Sequence, residues 1–129
     1  MTATDSAYHR MGGEPALRAL IKRFYELMHE RPESQGIRAM HPESLQGSED
    51  KLFMFMSGWL GGPQLFTEKF GHPRLRARHL PFAISKAERD QWMMCMVQAF
   101  DDTNVQEPMR SEVLHSLLNL ADHMRNQPE

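Results

Sequence analysis

The sequence predicts an all-α fold, and three observations carry that prediction. Apolar residues recur at i, i+3 and i+4 in separate stretches, capping or breaking residues bound those stretches, and nowhere do polar and apolar side chains alternate as in a half-buried strand. With 129 residues the chain has the length of one domain. That domain is expected to span residues 1–129, with a core from about Gly12 to about Met124 and loose ends at residues 1–5 and 126–129.

The first helix begins near Pro15, whose missing N–H costs nothing in a first helical turn, and Leu17, Leu20, Ile21, Phe24 and Met28 form its apolar stripe. Tyr25 lies beside the stripe. The helix stops near Arg31-Pro32, because proline disfavours helical geometry in the residue before it. Ser48 reads as the N-cap of the second helix, with Glu49 and Asp50 at its positive end. Leu52, Phe55, Met56, Trp59 and Leu60 share one face of it, and Gly61-Gly62-Pro63 ends it. Ser85-Lys-Ala-Glu88 is a capping box that opens a helix carrying Trp92, Cys95, Met96, Ala99 and Phe100. The last helix runs from about Ser111 to about Met124 and buries Val113, Leu114, Leu117, Leu120, Ala121 and Met124. These stripes alone are satisfied by an ordinary helical bundle. Residues 64–84 fit such a bundle poorly, because Gly71, Pro73 and Pro81 interrupt them, and a long irregular connection is more often functional than idle.

Composition narrows the function classes. A net charge of −2, from 15 basic and 17 acidic residues, gives no general electrostatic footprint for nucleic acid or an acidic membrane. The single cysteine, Cys95, cannot form an intrachain disulfide, and its helical neighbours Trp92, Met96 and Ala99 mark it as buried and inert. The N-terminus lacks the basic start and apolar stretch of a signal peptide, and no run approaches the ~18 apolar residues of a membrane span. A soluble cytoplasmic protein is expected. Of the 7 histidines, none pairs in His-x-x-x-His spacing, and Cys-x-x-Cys is absent, so a dedicated zinc site is not expected. His9, His29, His115 and His123 sit in polar surroundings and read as surface residues.

The run His72-Pro-Arg-Leu-Arg-Ala-Arg-His79-Leu-Pro-Phe82 sets a histidine among arginines and apolar residues on a segment bracketed by prolines. Taken alone, it reads equally well as a basic surface loop or as a haem-binding segment. A haem needs a neutral imidazole for iron, cations for its propionates and apolar neighbours such as Leu75, Leu80 and Phe82 for the porphyrin. If the segment is helical, His79 and Leu75 share a face, which would aim the imidazole at an apolar slot. His72, which precedes proline, reads as structural.

The ordered set of motifs resembles the group II truncated haemoglobins, whose proximal region carries a His-Pro-Arg-Leu-Arg-x-Arg-His run. Gly12-Gly13, Phe24-Tyr25, Gly61-Gly62-Pro63 and Glu88-Arg89-Asp90-x-Trp92 fall in the family's order, so the resemblance runs from about Gly12 to about Ala121. It implies a two-over-two α-helical sandwich around haem b. His79 falls at the proximal iron ligand, with Tyr25 and Trp92 hydrogen-bonding a distal O2, NO or other diatomic ligand. Lys51 and Arg78 fall where the family reaches the propionates, with Arg74 and Arg76 behind them. Leu52, Phe55, Leu75, Phe82 and Met96 complete the haem contacts. Ser48 occupies the place where ordinary globins carry a distal histidine. His41 stands where the family has tyrosine or phenylalanine, a departure that either adds a titratable distal donor or points outward. The connection from Glu30 to Gly36 is about three residues longer than is usual for the family.

The function the resemblance implies is reversible binding of O2 and other diatomic ligands by a monomer or homodimer. Two competing readings remain. One is a haem enzyme, an NO dioxygenase or peroxidase-like protein using His41 as proton donor; with no Gly-x-Gly-x-x-Gly in the chain, its reductase would be separate. The other is a haem-free helical interaction module.

Overall fold

The computed structural model describes residues 6–128, and every regular element among them is helical. The expected loose residues 1–5 and 129 lie outside that range. In chain order the helices are α1 (Ala7–Arg10), α2 (Gly13–Glu30), α3 (Gln35–Arg38), α4 (Gln46–Trp59), α5 (Leu65–Phe70), α6 (Leu75–His79), α7 (Lys86–Asp102) and α8 (Met109–His123). A 3₁₀ turn, Pro32–Ser34, separates α2 from α3. The long helices form two layers. α2 packs against α4, α7 packs against α8, and the α2–α7 contact joins the layers. Leu17, Leu20, Ile21, Phe24 and Met28 from α2 meet Phe53 and Met56 from α4 and Cys95, Met96, Ala99 and Phe100 from α7 in the core. No helix is long and apolar enough to cross a membrane among the described residues.

Each long helix has a local cause for its bounds. α2 begins two residues before Pro15, where Gly12 takes φ 114° as N-cap, and Arg31 turns extended before Pro32 as expected. The Ser85 capping box is present: its Oγ accepts from the Ala87 amide at 3.2 Å, and the Glu88 carboxylate accepts from the Ser85 amide at 2.7 Å. Ser48 is not a cap. α4 starts earlier, at Gln46, whose amide donates to Ser44 Oγ at 3.3 Å, so Ser48 lies inside the first turn. Past α4 the chain turns through Gly61 at φ 91°, and Gly62 leaves room for the ring of Tyr8: a Cβ there would meet three ring atoms at 2.5–2.7 Å.

Residues 64–84 are irregular, as expected, but hold two short helices, α5 and α6. The C-terminal end departs from expectation. Asn126 and Gln127 both donate their amides to the Ile84 carbonyl, at 2.9 and 3.1 Å, so these two residues are fastened rather than loose.

Candidate functional site

Several residues that the helical stripes place in the core are only half-buried. Leu52 and Phe55 on α4, Trp92 on α7 and Leu120 and Ala121 on α8 all open onto one cavity of about 410 Å³, a size typical of ligand sites. α5, α6 and the following loop supply a facing wall through Phe66, Leu75, Arg78, His79, Phe82 and Ile84.

His79 stands at the C-terminal end of α6. Its Nδ1 donates to the Leu75 carbonyl at 2.6 Å, one turn back on the same helix. A proton held on Nδ1 leaves the Nε2 lone pair free. His72 is exposed and its Nδ1 accepts from the Arg74 amide at 3.1 Å, a local turn contact that helps hold Arg74 in its left-handed conformation (φ 48°). His9, His29, His115 and His123 are exposed.

Tyr25, Trp92 and His41 converge from other elements. Phe24 stacks edge-on against both Tyr25, at 4.9 Å, and Trp92, at 5.1 Å, which fixes the spacing of α2 and α7 beside the cavity. Neither the Tyr25 hydroxyl nor the Trp92 indole N–H has a hydrogen-bond partner among the described residues. Burial, reinforced by the charge of Glu49, holds the Tyr25 phenol well above its ordinary range. It therefore stays protonated and able to donate.

His41 faces the cavity, with its ring 6.0 Å from that of Tyr25. Its position is inherited through a chain of contacts: Gln91 on α7 accepts the Ile37 amide at 3.0 Å, and the Ile37 carbonyl takes His41 Nδ1 at 2.8 Å. Arg38 then ties the following turn by donating to Pro42 O and Glu43 O. Burial lowers the His41 pKa below its ordinary 6.5, and the charges of Arg38 and His79 add to the effect against the opposing Ile37 carbonyl. The neutral imidazole is thereby favoured.

Lys51 and Arg78 lie at the rim, and neither is in an ion pair among the described residues. Arg78 packs its guanidinium 5.3 Å from the Phe66 ring. Three expectations fail. Arg76 does not reach the cavity, because its guanidinium donates to the His123 and Arg125 carbonyls at the end of α8. Met96, one turn along α7 from Trp92, is fully buried in the core and does not line the cavity. Leu80 is 57% exposed and does not line the cavity. Sequence reasoning in turn missed Ile37, Met40 and Phe66, which sit on short elements with too few residues to show a period.

The chain matches the bacterial-like globin family over residues 6–126. It belongs to that family. Group 2 truncated hemoglobin YjbI of Bacillus subtilis is 38% identical over 117 residues, covering 91% of this chain and 86% of that one. The group II 2-on-2 hemoglobin of Agrobacterium tumefaciens superposes with a TM-score of 0.93 at 44% identity, covering 98% of each chain. The cold-adapted truncated hemoglobin of Pseudoalteromonas haloplanktis does so with 0.91 at 43% identity, covering 95% of this chain and 99% of that one. The globin is thus a group II truncated haemoglobin with the two-over-two helical fold. Membership implies a haem, and the residues fit one. The cavity wall is mostly apolar, one imidazole has a fixed tautomer and a free Nε2, and among the described residues two donors lack hydrogen-bond partners and two rim cations lack carboxylates. No cluster of His, Cys, Asp or Glu able to hold a bare metal ion occurs among the described residues.

Proposed function

We propose that this globin binds haem b and holds a diatomic ligand tightly, with His79 as the proximal ligand and Tyr25 and Trp92 as distal hydrogen-bond donors. The observation that carries the reading is one cavity containing both a tautomer-fixed imidazole and two donors without partners among the described residues. Haem supplies an iron atom able to take O2, NO or a similar ligand. The protein supplies the rest. Leu75 O orients His79, so no rotational freedom is lost when Nε2 is engaged. Lys51 and Arg78 offer propionates two cations that no carboxylate among the described residues neutralises.

Each hydrogen bond to a charged acceptor is worth about 1.5–3 kcal/mol, so two donors acting on one ligand slow its release on the order of a hundredfold or more. A protein that releases its ligand so slowly is a poor carrier. His41 gives a specific reason to favour turnover of the ligand over its delivery: its Nδ1 is engaged, and its neutral Nε2 is available to take up and return a proton inside the cavity. Electrons for such turnover come from a separate reductase in this reading. The test is reconstitution with haemin, followed by stopped-flow O2 dissociation and NO reaction on the ferrous protein. One haem per chain and slow O2 release support the reading; a folded chain that takes up no haem returns it to a helical interaction module.

A further inference from the structure

α6 carries His79 yet has little holding it in place. It is five residues long, buries none of them, and isolated helices of that length do not persist in water. The imidazole is rigid relative to α6 through Leu75 O, so its placement at the cavity depends on what fixes α6 to the rest of the chain. Among the described residues, every hydrogen bond that leaves residues 72–84 for a distant element ends on residues 123–127. Asn126 is the centre of this set. Its Nδ2 donates to His79 O at 3.2 Å and to Phe82 O at 2.8 Å, while its Oδ1 accepts from the Ile84 amide at 2.9 Å. Its own amide donates to Ile84 O at 2.9 Å. From the other side, Arg76 on α6 caps the end of α8 by donating to the His123 and Arg125 carbonyls.

We propose that Asn126, together with Arg76, forms a clasp between the end of α8 and the His79 segment, making Asn126 a positioning residue for the proximal imidazole. The proposal rests on the reading of His79 as the iron ligand. An asparagine suits the post because one side chain must both donate to two carbonyls and accept from an amide, which aspartate, serine or lysine cannot do together. The clasp couples the cavity's proximal wall to α8, whose Leu117, Leu120 and Ala121 line the same cavity.

The test uses the full-length haem-loaded protein with Asn126→Ala, Asn126→Asp and, as control, Asn119→Ala at an exposed α8 position. Asn126→Asp keeps the acceptor for Ile84 and removes the donors to His79 O and Phe82 O. Both Asn126 variants are expected to exchange the amides of residues 75–84 about tenfold faster or more, and to lose haem to excess apomyoglobin faster by a similar factor. The iron–histidine stretching band of the ferrous protein should shift or broaden, a signature that a loss of general stability does not produce. Exchange, haem loss and band all matching the Asn119→Ala control would overturn the clasp. Failure of the underlying reading looks different: His79→Ala would then keep its haem and ferrous spectrum, while accelerated exchange at residues 75–84 in the Asn126 variants would still report the clasp.

Discussion

Tyr25→Phe separates a ligand-binding hydroxyl from a structural one. The ring stays, and with it the edge contacts to Phe24 at 4.9 Å and His41 at 6.0 Å, so packing is conserved. The hydroxyl goes. Because it has no hydrogen-bond partner among the described residues and the side chain is only 7% exposed, its removal takes nothing from the fold and relieves a partly desolvated polar group. The unfolding free energy of the haem-free protein is therefore expected to stay constant or rise by up to about 1 kcal/mol. Ligand release should respond in the opposite sense: losing one hydrogen bond of about 1.5–3 kcal/mol speeds O2 dissociation roughly tenfold to 150-fold. Urea unfolding of the haem-free chain and stopped-flow O2 displacement give the two numbers. A fall in stability of 1 kcal/mol or more with an unchanged dissociation rate would refute the reasoning, because it would place the hydroxyl in a structural bond.

Trp92→Phe deletes the indole N–H at similar volume and should speed O2 release about tenfold to a hundredfold, with less than additive effect in the double variant because both donors serve one ligand. His79→Ala should abolish stable haem uptake, whereas His72→Ala, which removes only a local turn contact, should leave haem content unchanged; absorbance titration with haemin checks both. For His41 the folded pKa lies below 6.5, so its contribution to stability is fully present above about pH 6.5 and is lost as the pH falls through the folded value. Urea midpoints of the haem-free chain should therefore fall less steeply on acidification in His41→Phe than in the parent, and equal slopes would remove burial as the cause of the shift.

The long helices were legible because their stripes and end signals are local: Pro32 stops α2, Gly61-Gly62 closes α4 and the Ser85–Glu88 box opens α7. Ser48 misled because a serine ahead of two acids imitates a cap, while the actual N-cap is Leu45, three residues earlier, with Ser44 Oγ accepting the Gln46 amide just ahead of the helix. At the site, the residues carried over from the family motif mostly converge, but the pattern of charge could not distinguish the arginines of the 74–78 run. Arg78 stays at the rim, and Arg76 is drawn to α8 by two carbonyls that belong to residues 47 and 49 positions along the chain. Asn126 was invisible for the same reason: a polar residue near a terminus has no periodicity, and its role exists only once α6 is packed beside α8.

The cavity itself follows from a mismatch between the helical faces and what the chain offers to cover them. In a four-helix bundle, Leu52, Phe55, Trp92, Leu120 and Ala121 would interdigitate at crystal-like density. Here the element that reaches them is a five-residue helix flanked by Pro73 and Pro81, which supplies an imidazole and a few apolar atoms but not enough volume to fill the space. Three of the polar groups around that space, the Tyr25 hydroxyl, the Trp92 N–H and the Lys51 ammonium, form no hydrogen bond or ion pair with the described residues. Donors that open onto the cavity and bond nothing in the described fold add nothing to its packing, and a sequence selected for stability alone has no need of them there. Their coincidence with half-covered apolar faces, in one cavity beside an oriented imidazole, means that cavity and polar groups are complementary to the same flat, apolar, doubly anionic group, and that part of the chain's folding stability is deferred to the moment that group binds.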